Sequence, residues 1–199
     1  MPRILLTATL AGSGHKLPEI IPDIGQKHIL CIPTGAYAED GHEEWLPGEL
    51  RDVKKLCKSY TEFDLKDKSE EDLRNAVQGM DIIYCTGGNT YVILEWMKKT
   101  NFKNVLDDFF AWDGIYIGSS AGSIVMGPDI EFVGKVDDRS KSDLTDLNAL
   151  VYLDYYILPH MDQPKFAAAL APVIERMKAD GRDIRLLNDD EFIWINGDS

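Results

Sequence analysis

Along this chain, short unbroken apolar runs alternate with longer stretches in which apolar residues recur every three or four positions. The first pattern suits strands buried on both faces, and the second suits the helices that cover them. Residues 3–9 read as the first strand and 28–32 as the second. Helical character follows over 43–60, with Pro47 and Gly48 near its start, and then a weak strand over 61–65. A helix is expected over 69–78. Ser69 caps it, Asp72 stands at the capping-box position and Gly79 ends it. A strand over 81–86 runs into Gly87-Gly88-Asn89 and a helix over 90–99, and another helix covers 105–112. Residues 114–118 form an apolar strand that leads straight into Ser119-Ser120-Ala121-Gly122.

The stretch 127–150 breaks this rhythm. It is rich in Asp and reads as a connection between core elements, with a short edge strand over 130–133. A strand over 155–158 leads to Pro159-His160. The clearest helix spans 164–180, where Phe166, Ala169, Leu170, Val173, Ile174 and Met177 form one continuous stripe. Strands over 184–187 and 192–195 complete the pattern. Such alternation predicts an α/β fold, a mostly parallel sheet with helices on both faces. No repeat, linker or low-complexity tract interrupts residues 1–199, so one domain is expected.

Composition narrows the partners. Hydrophobic residues make up 44% of the chain, enough for a real core. The formal net charge is −13, which offers no basic footprint for nucleic acid and disfavours an anionic membrane surface. Three cysteines without a CxxC pair predict neither a disulfide framework nor a zinc ribbon, as in a reducing compartment. The first residues lack the long apolar segment of a secretory signal, and no run approaches ~18 apolar residues. A cytoplasmic protein is expected, acting as a monomer or homodimer.

The candidate chemistry lies in Gly118-Ser119-Ser120-Ala121-Gly122, a G-x-S-x-G pentapeptide with Ser120 at its centre. In such an elbow a strand turns sharply into a helix and presents one hydroxyl at the tip, so residues two positions away must lack bulk. The Ala121 N–H can face an oxyanion there. Gly87-Gly88-Asn89 also ends a strand, where open α/β sheets place their ligands, and Gly88 offers a second N–H donor. A serine nucleophile needs a base. Of the four histidines, His160 follows an apolar strand directly, whereas His15, His28 and His42 read as loop or strand-opening residues. An acid should orient the imidazole, and Asp137 and Asp138 lie between Ser120 and His160 in sequence.

Cys85-Thr-Gly-Gly-Asn-Thr90, Gly118-Ser-Ser-Ala-Gly122 and Leu158-Pro-His160 together resemble the dipeptidase E and cyanophycinase family of serine peptidases. The likeness runs from residue 3 to about residue 195. It implies a class I glutamine amidotransferase-like, flavodoxin-like fold and an acyl-enzyme mechanism without metal or organic cofactor. It also implies a triad of Ser120, His160 and Asp138, with Asp137 beside it as the fallback acid, and oxyanion donors on Gly88 and Ala121. Asn89 and Lys165 are the expected contacts to a small peptide substrate. One departure stands out. Aspartyl dipeptidases carry an arginine early in the helix after the histidine, and here that stretch reads Gln163-Pro-Lys165-Phe166. Lysine does not replace a bidentate guanidinium, so the likeness does not carry a preference for N-terminal Asp with it.

Overall fold

The central strands are apolar on both faces, and their alternate side chains sort into two cores. Ile4 and Leu6 pack into one core and Leu5 into the other; Tyr116 lies opposite Ile115 and Ile117 in the same way. A computed structural model describes residues 2–197. Its strands are β1 (Arg3–Thr7), β2 (His28–Ile32), β3 (Ser59–Glu62), β4 (Ile82–Cys85), β5 (Ile115–Ser119), β6 (Tyr156–Leu158), β7 (Ile184–Leu186) and β8 (Phe192–Ile195). Its helices are α1 (Leu10–Ser13), α2 (Leu17–Ile20), α3 (Thr34–Tyr37), α4 (His42–Leu56), α5 (Glu70–Ala76), α6 (Thr90–Lys99), α7 (Phe102–Ala111), α8 (Ala121–Ile124) and α9 (Pro164–Ala179).

Six strands form the main sheet in the order β3-β2-β4-β5-β1-β8. The first five pair in parallel, and β8 closes one edge antiparallel to β1. With helices around this sheet, the architecture is the expected α/β, flavodoxin-like one. Strands β6 and β7 pair in parallel as a separate ribbon. Parallel pairing brings the loops after β1, β2, β4 and β5 to a single edge. After β2 the chain moves outward to β3, and after β4 it moves to β5 on the other side. That divergence opens a crevice beyond the carboxyl ends of the strands.

Ser69 caps α5 and forms the reciprocal capping box with Asp72. Helix α4 ends at Leu56 where it was expected to reach 60, and β3 lies at Ser59–Glu62 where a strand was expected over 61–65. Two further features differ from expectation. Residues 130–133 are not an edge strand; a 3-10 turn covers Glu131–Lys135. The reason is packing, since Ile130, Phe132 and Val133 are all buried, which an alternating strand cannot achieve. The short helices α1, α2 and α3 fill stretches where no helix was expected, because one-turn helices carry too few residues to show a period. Among the described residues, no helix is long and apolar enough to cross a membrane.

Candidate active site

The sharp turn that presents Ser120 forms where β5 gives way to α8. Ser120 has φ 47° and ψ −110°, a conformation that L-residues adopt rarely and that a surrounding structure must impose. Four contacts impose it. The Ser120 N–H donates to the Thr7 carbonyl (3.0 Å). The Ser123 hydroxyl lies 2.8 Å from both the Thr7 and Gly118 carbonyls, and accepts the Thr7 N–H at 3.0 Å. The flanking glycines are forced by contact. A Cβ on Gly118 would lie 2.5 Å from the Gly122 carbonyl oxygen, and one on Gly122 would lie 2.3 Å from that of Cys85. Gly122→Ala must therefore push backbone against backbone. It is expected to lower stability by about 1–3 kcal/mol or more, read as a fall in urea midpoint at unchanged slope. The helix behind the elbow is a single turn, so no long macrodipole stands behind Ser120.

His160 closes on Ser120. The Ser120 hydroxyl lies 2.9 Å from His160 Nε2, and His160 Nδ1 lies 2.6 Å from Asp189 Oδ1. The second Asp189 oxygen accepts from Gln163 Nε2 at 2.8 Å, and the Asp189 N–H donates to Asp162. The Phe166 ring covers the imidazole at 4.9 Å between centroids. The parallel ribbon explains the meeting. Leu158 of β6 faces Leu186 of β7 in register, so the turns after both strands emerge side by side. One carries His160 and the other Asp189.

Asp138, the expected acid, is not the carboxylate that meets the imidazole. It is exposed and turned away, accepting the N–H (2.9 Å) and hydroxyl (2.7 Å) of Ser140. These bonds hold its carboxyl below the usual carboxylate range. Asp137 does face the cavity, and its Oδ2 accepts the Thr90 N–H at the start of α6 (2.8 Å). Burial pushes its carboxyl up, against the hydrogen bond from Thr90.

The remaining expectations divide. Gly87 presses on Ser120: a Cβ on this glycine would lie 3.1 Å from Ser120 Cβ. Gly88 has φ 115°, and a Cβ on it would lie 2.1 Å from the Gly35 carbonyl carbon, so this turn admits only glycine. Lys165 lines the cavity together with Ser120 and His160. Asn89 is placed as a helix cap and not among the residues lining the cavity. It is fully buried, and its side chain is occupied at both ends. Oδ1 accepts the Val92 N–H as the cap of α6, while Nδ2 donates to Glu39 and to the Asp138 carbonyl. A residue at a helix start after two glycines is as readily a cap as a ligand, and here the cap claims it.

The whole group opens on one cavity of about 560 Å³, walled by the loops after β1, β2, β4 and β5 and by the start of α9. Glu39, Glu49, Asp137 and Asp189 line it, with Lys165 and His160 as the basic side chains among the described residues. No group of three or more metal-ligating side chains occurs among the described residues. The arrangement can deprotonate a hydroxyl and stabilise the resulting imidazolium.

Comparison with known proteins gives the same site a family. A family model described as peptidase family S51 matches residues 8–199. An uncharacterized peptidase of Listeria monocytogenes is 25% identical over 198 residues, covering 99% of this chain and 96% of the relative. An uncharacterized peptidase of Pasteurella multocida is 26% identical over 184 residues, with 88% and 84% covered. Among solved structures, one from Listeria monocytogenes, provisionally described as a peptidase E protein, superposes with a TM-score of 0.87 at 24% identity. It covers 100% of this chain and 96% of the other.

Proposed function

This chain belongs to peptidase family S51, and on that premise we propose that it hydrolyses short peptides through a triad of Ser120, His160 and Asp189. The observation that carries this reading is the 2.9 Å contact of Ser120 Oγ with His160 Nε2 at a positive-φ elbow. The Ser120 hydroxyl attacks the peptide carbonyl as His160 takes its proton. Asp189 keeps the Nδ1–H in place and stabilises the cation that forms. Backbone N–H groups of Gly88 and Ala121 are the donors assigned to the oxyanion. The imidazolium then gives its proton to the leaving amine, and water releases the acyl group by the reverse sequence. A cavity of about 560 Å³ favours a substrate the size of a dipeptide.

Hydrolysis of dipeptides set against p-nitrophenyl esters tests this. Ester turnover with no peptide cleavage across a mixed dipeptide panel would replace the peptidase reading with an esterase one. The same panel addresses specificity. A substrate with N-terminal Asp brings another carboxylate into a cavity already lined by four, with Lys165 facing them. A carboxylate buried without a matched cation costs several kcal/mol. The ratio of kcat/KM for Asp-Leu over Ala-Leu is therefore expected to stay below about a hundredfold, roughly 2.7 kcal/mol of discrimination. A larger preference would require a basic residue to move into the site.

A further inference from the structure

Glu49 is buried in α4, with 4% of its surface exposed, and the proposed chemistry makes no use of it. Its carboxylate accepts five hydrogen bonds. Oε1 takes the Leu10 N–H (3.1 Å), the Tyr84 hydroxyl (2.8 Å) and the Ser119 hydroxyl. Oε2 takes the Ala11 N–H (3.1 Å) and the Thr9 hydroxyl. Every donor is neutral, and among the described residues no Lys or Arg forms an ion pair with it. An apolar side chain would fill this space without the cost of desolvating a carboxylate. What distinguishes Glu49 is what its donors belong to.

Tyr84, Ser119 and Thr9 stand at or beyond the carboxyl ends of β4, β5 and β1, three neighbours in the sheet. Ser119 is the residue before the nucleophile. Thr9, Leu10 and Ala11 lead into Gly12, which abuts the triad acid: a Cβ on Gly12 would lie 2.3 Å from the Asp189 carbonyl oxygen. One carboxylate thus ties the segment carrying Ser120 to the segment against which Asp189 rests. We propose that Glu49 is a positioning residue that fixes the span from Ser120 to Asp189 across His160. This rests on reading those three residues as the catalytic triad.

Glu49→Gln keeps the shape and turns one acceptor oxygen into a donor. On a dipeptide that the wild type cleaves, kcat is expected to fall about a hundredfold with KM within about threefold, since a misplacement of ~1 Å costs on that order. In an Asp189→Asn background the same change is expected to cost less than about fivefold, because both act on one alignment. A general loss of stability would not give that non-additivity. If Glu49→Gln fails to fold by near-UV circular dichroism, Thr9→Val and Ser119→Ala each withdraw one donor. The two together then enter the same cycle, with about a tenfold loss expected. A folded variant with undiminished kcat, or an equal loss in both backgrounds, overturns the proposal. A wild-type protein that cleaves no peptide or ester and takes no fluorophosphonate on Ser120 overturns the catalytic reading instead.

Discussion

Ser120→Ala is expected to lower kcat by on the order of 10⁴ to 10⁶ while leaving the thermal midpoint close to that of the wild type. The Ser120 hydroxyl bonds to His160 Nε2, and the backbone anchors of the elbow come from other atoms. Alanine carries the same positive-φ strain as serine, so the turn is neither relieved nor worsened. The neighbouring serines separate the alternatives. Ser119 gives its hydroxyl to Glu49, so Ser119→Ala withdraws one donor from a buried network and should cost at most about tenfold. Ser123 is bonded to both strands flanking the elbow, and its loss should appear as lower stability. Labelling with a fluorophosphonate gives an independent reading. The adduct should map to Ser120 by peptide mass, and an adduct on Ser119 or Ser123 alone would overturn the assignment.

Much of this site is legible before any coordinates. The elbow is a local object, with the end of its strand, Ser120 and two required glycines inside five consecutive residues. His160 is marked by its own strand. The helix over Thr90–Lys99 and the strands His28–Ile32 and Phe192–Ile195 coincide with the apolar pattern to the residue. The carboxylate that meets the imidazole is a different kind of object. Asp189 sits in Asn188-Asp189-Asp190-Glu191, which reads as an ordinary acidic turn. It becomes special through the parallel pairing of β6 with β7, and pairing of strands on either side of a long helix is not written in either strand. Family likeness pointed to the connection between nucleophile and base. There the chain turns Asp137 inward against the start of α6 and leaves Asp138 capping a surface turn. Asn89 is ambiguous in sequence for a related reason. Residue type and loop position give cap and ligand alike; Val92 lies within the helix that Asn89 caps, but Glu39, which takes up its amide, is fifty residues away in sequence.

Asp189→Asn should therefore reduce kcat far more than Asp138→Asn. The hydrogen bonds say why an amide is a poor substitute. Asp189 Oδ1 takes the His160 Nδ1–H, and Oδ2 takes a donor from Gln163. Asparagine has one acceptor and one donor for two sites that both supply donors. If its oxygen faces Gln163, its NH₂ faces the imidazole and favours the tautomer with the proton on Nε2. That nitrogen then cannot accept the Ser120 proton. The opposite orientation sets two amide NH₂ groups against each other. Either way the productive state is depleted, and a loss of about 10² to 10⁴ in kcat is expected at neutral pH, with KM little changed. At position 138 the carboxylate accepts two bonds from Ser140 on a single oxygen, which asparagine can accept as well. That variant should stay within about twofold of wild type, in line with exposed substitutions worth under ~0.5 kcal/mol. Measuring kcat for both variants on one dipeptide decides the matter. Equal losses, or a larger loss at Asp138, would mean that the imidazole is oriented from the 127–150 connection during turnover, and that the contact with Asp189 belongs to the resting enzyme alone.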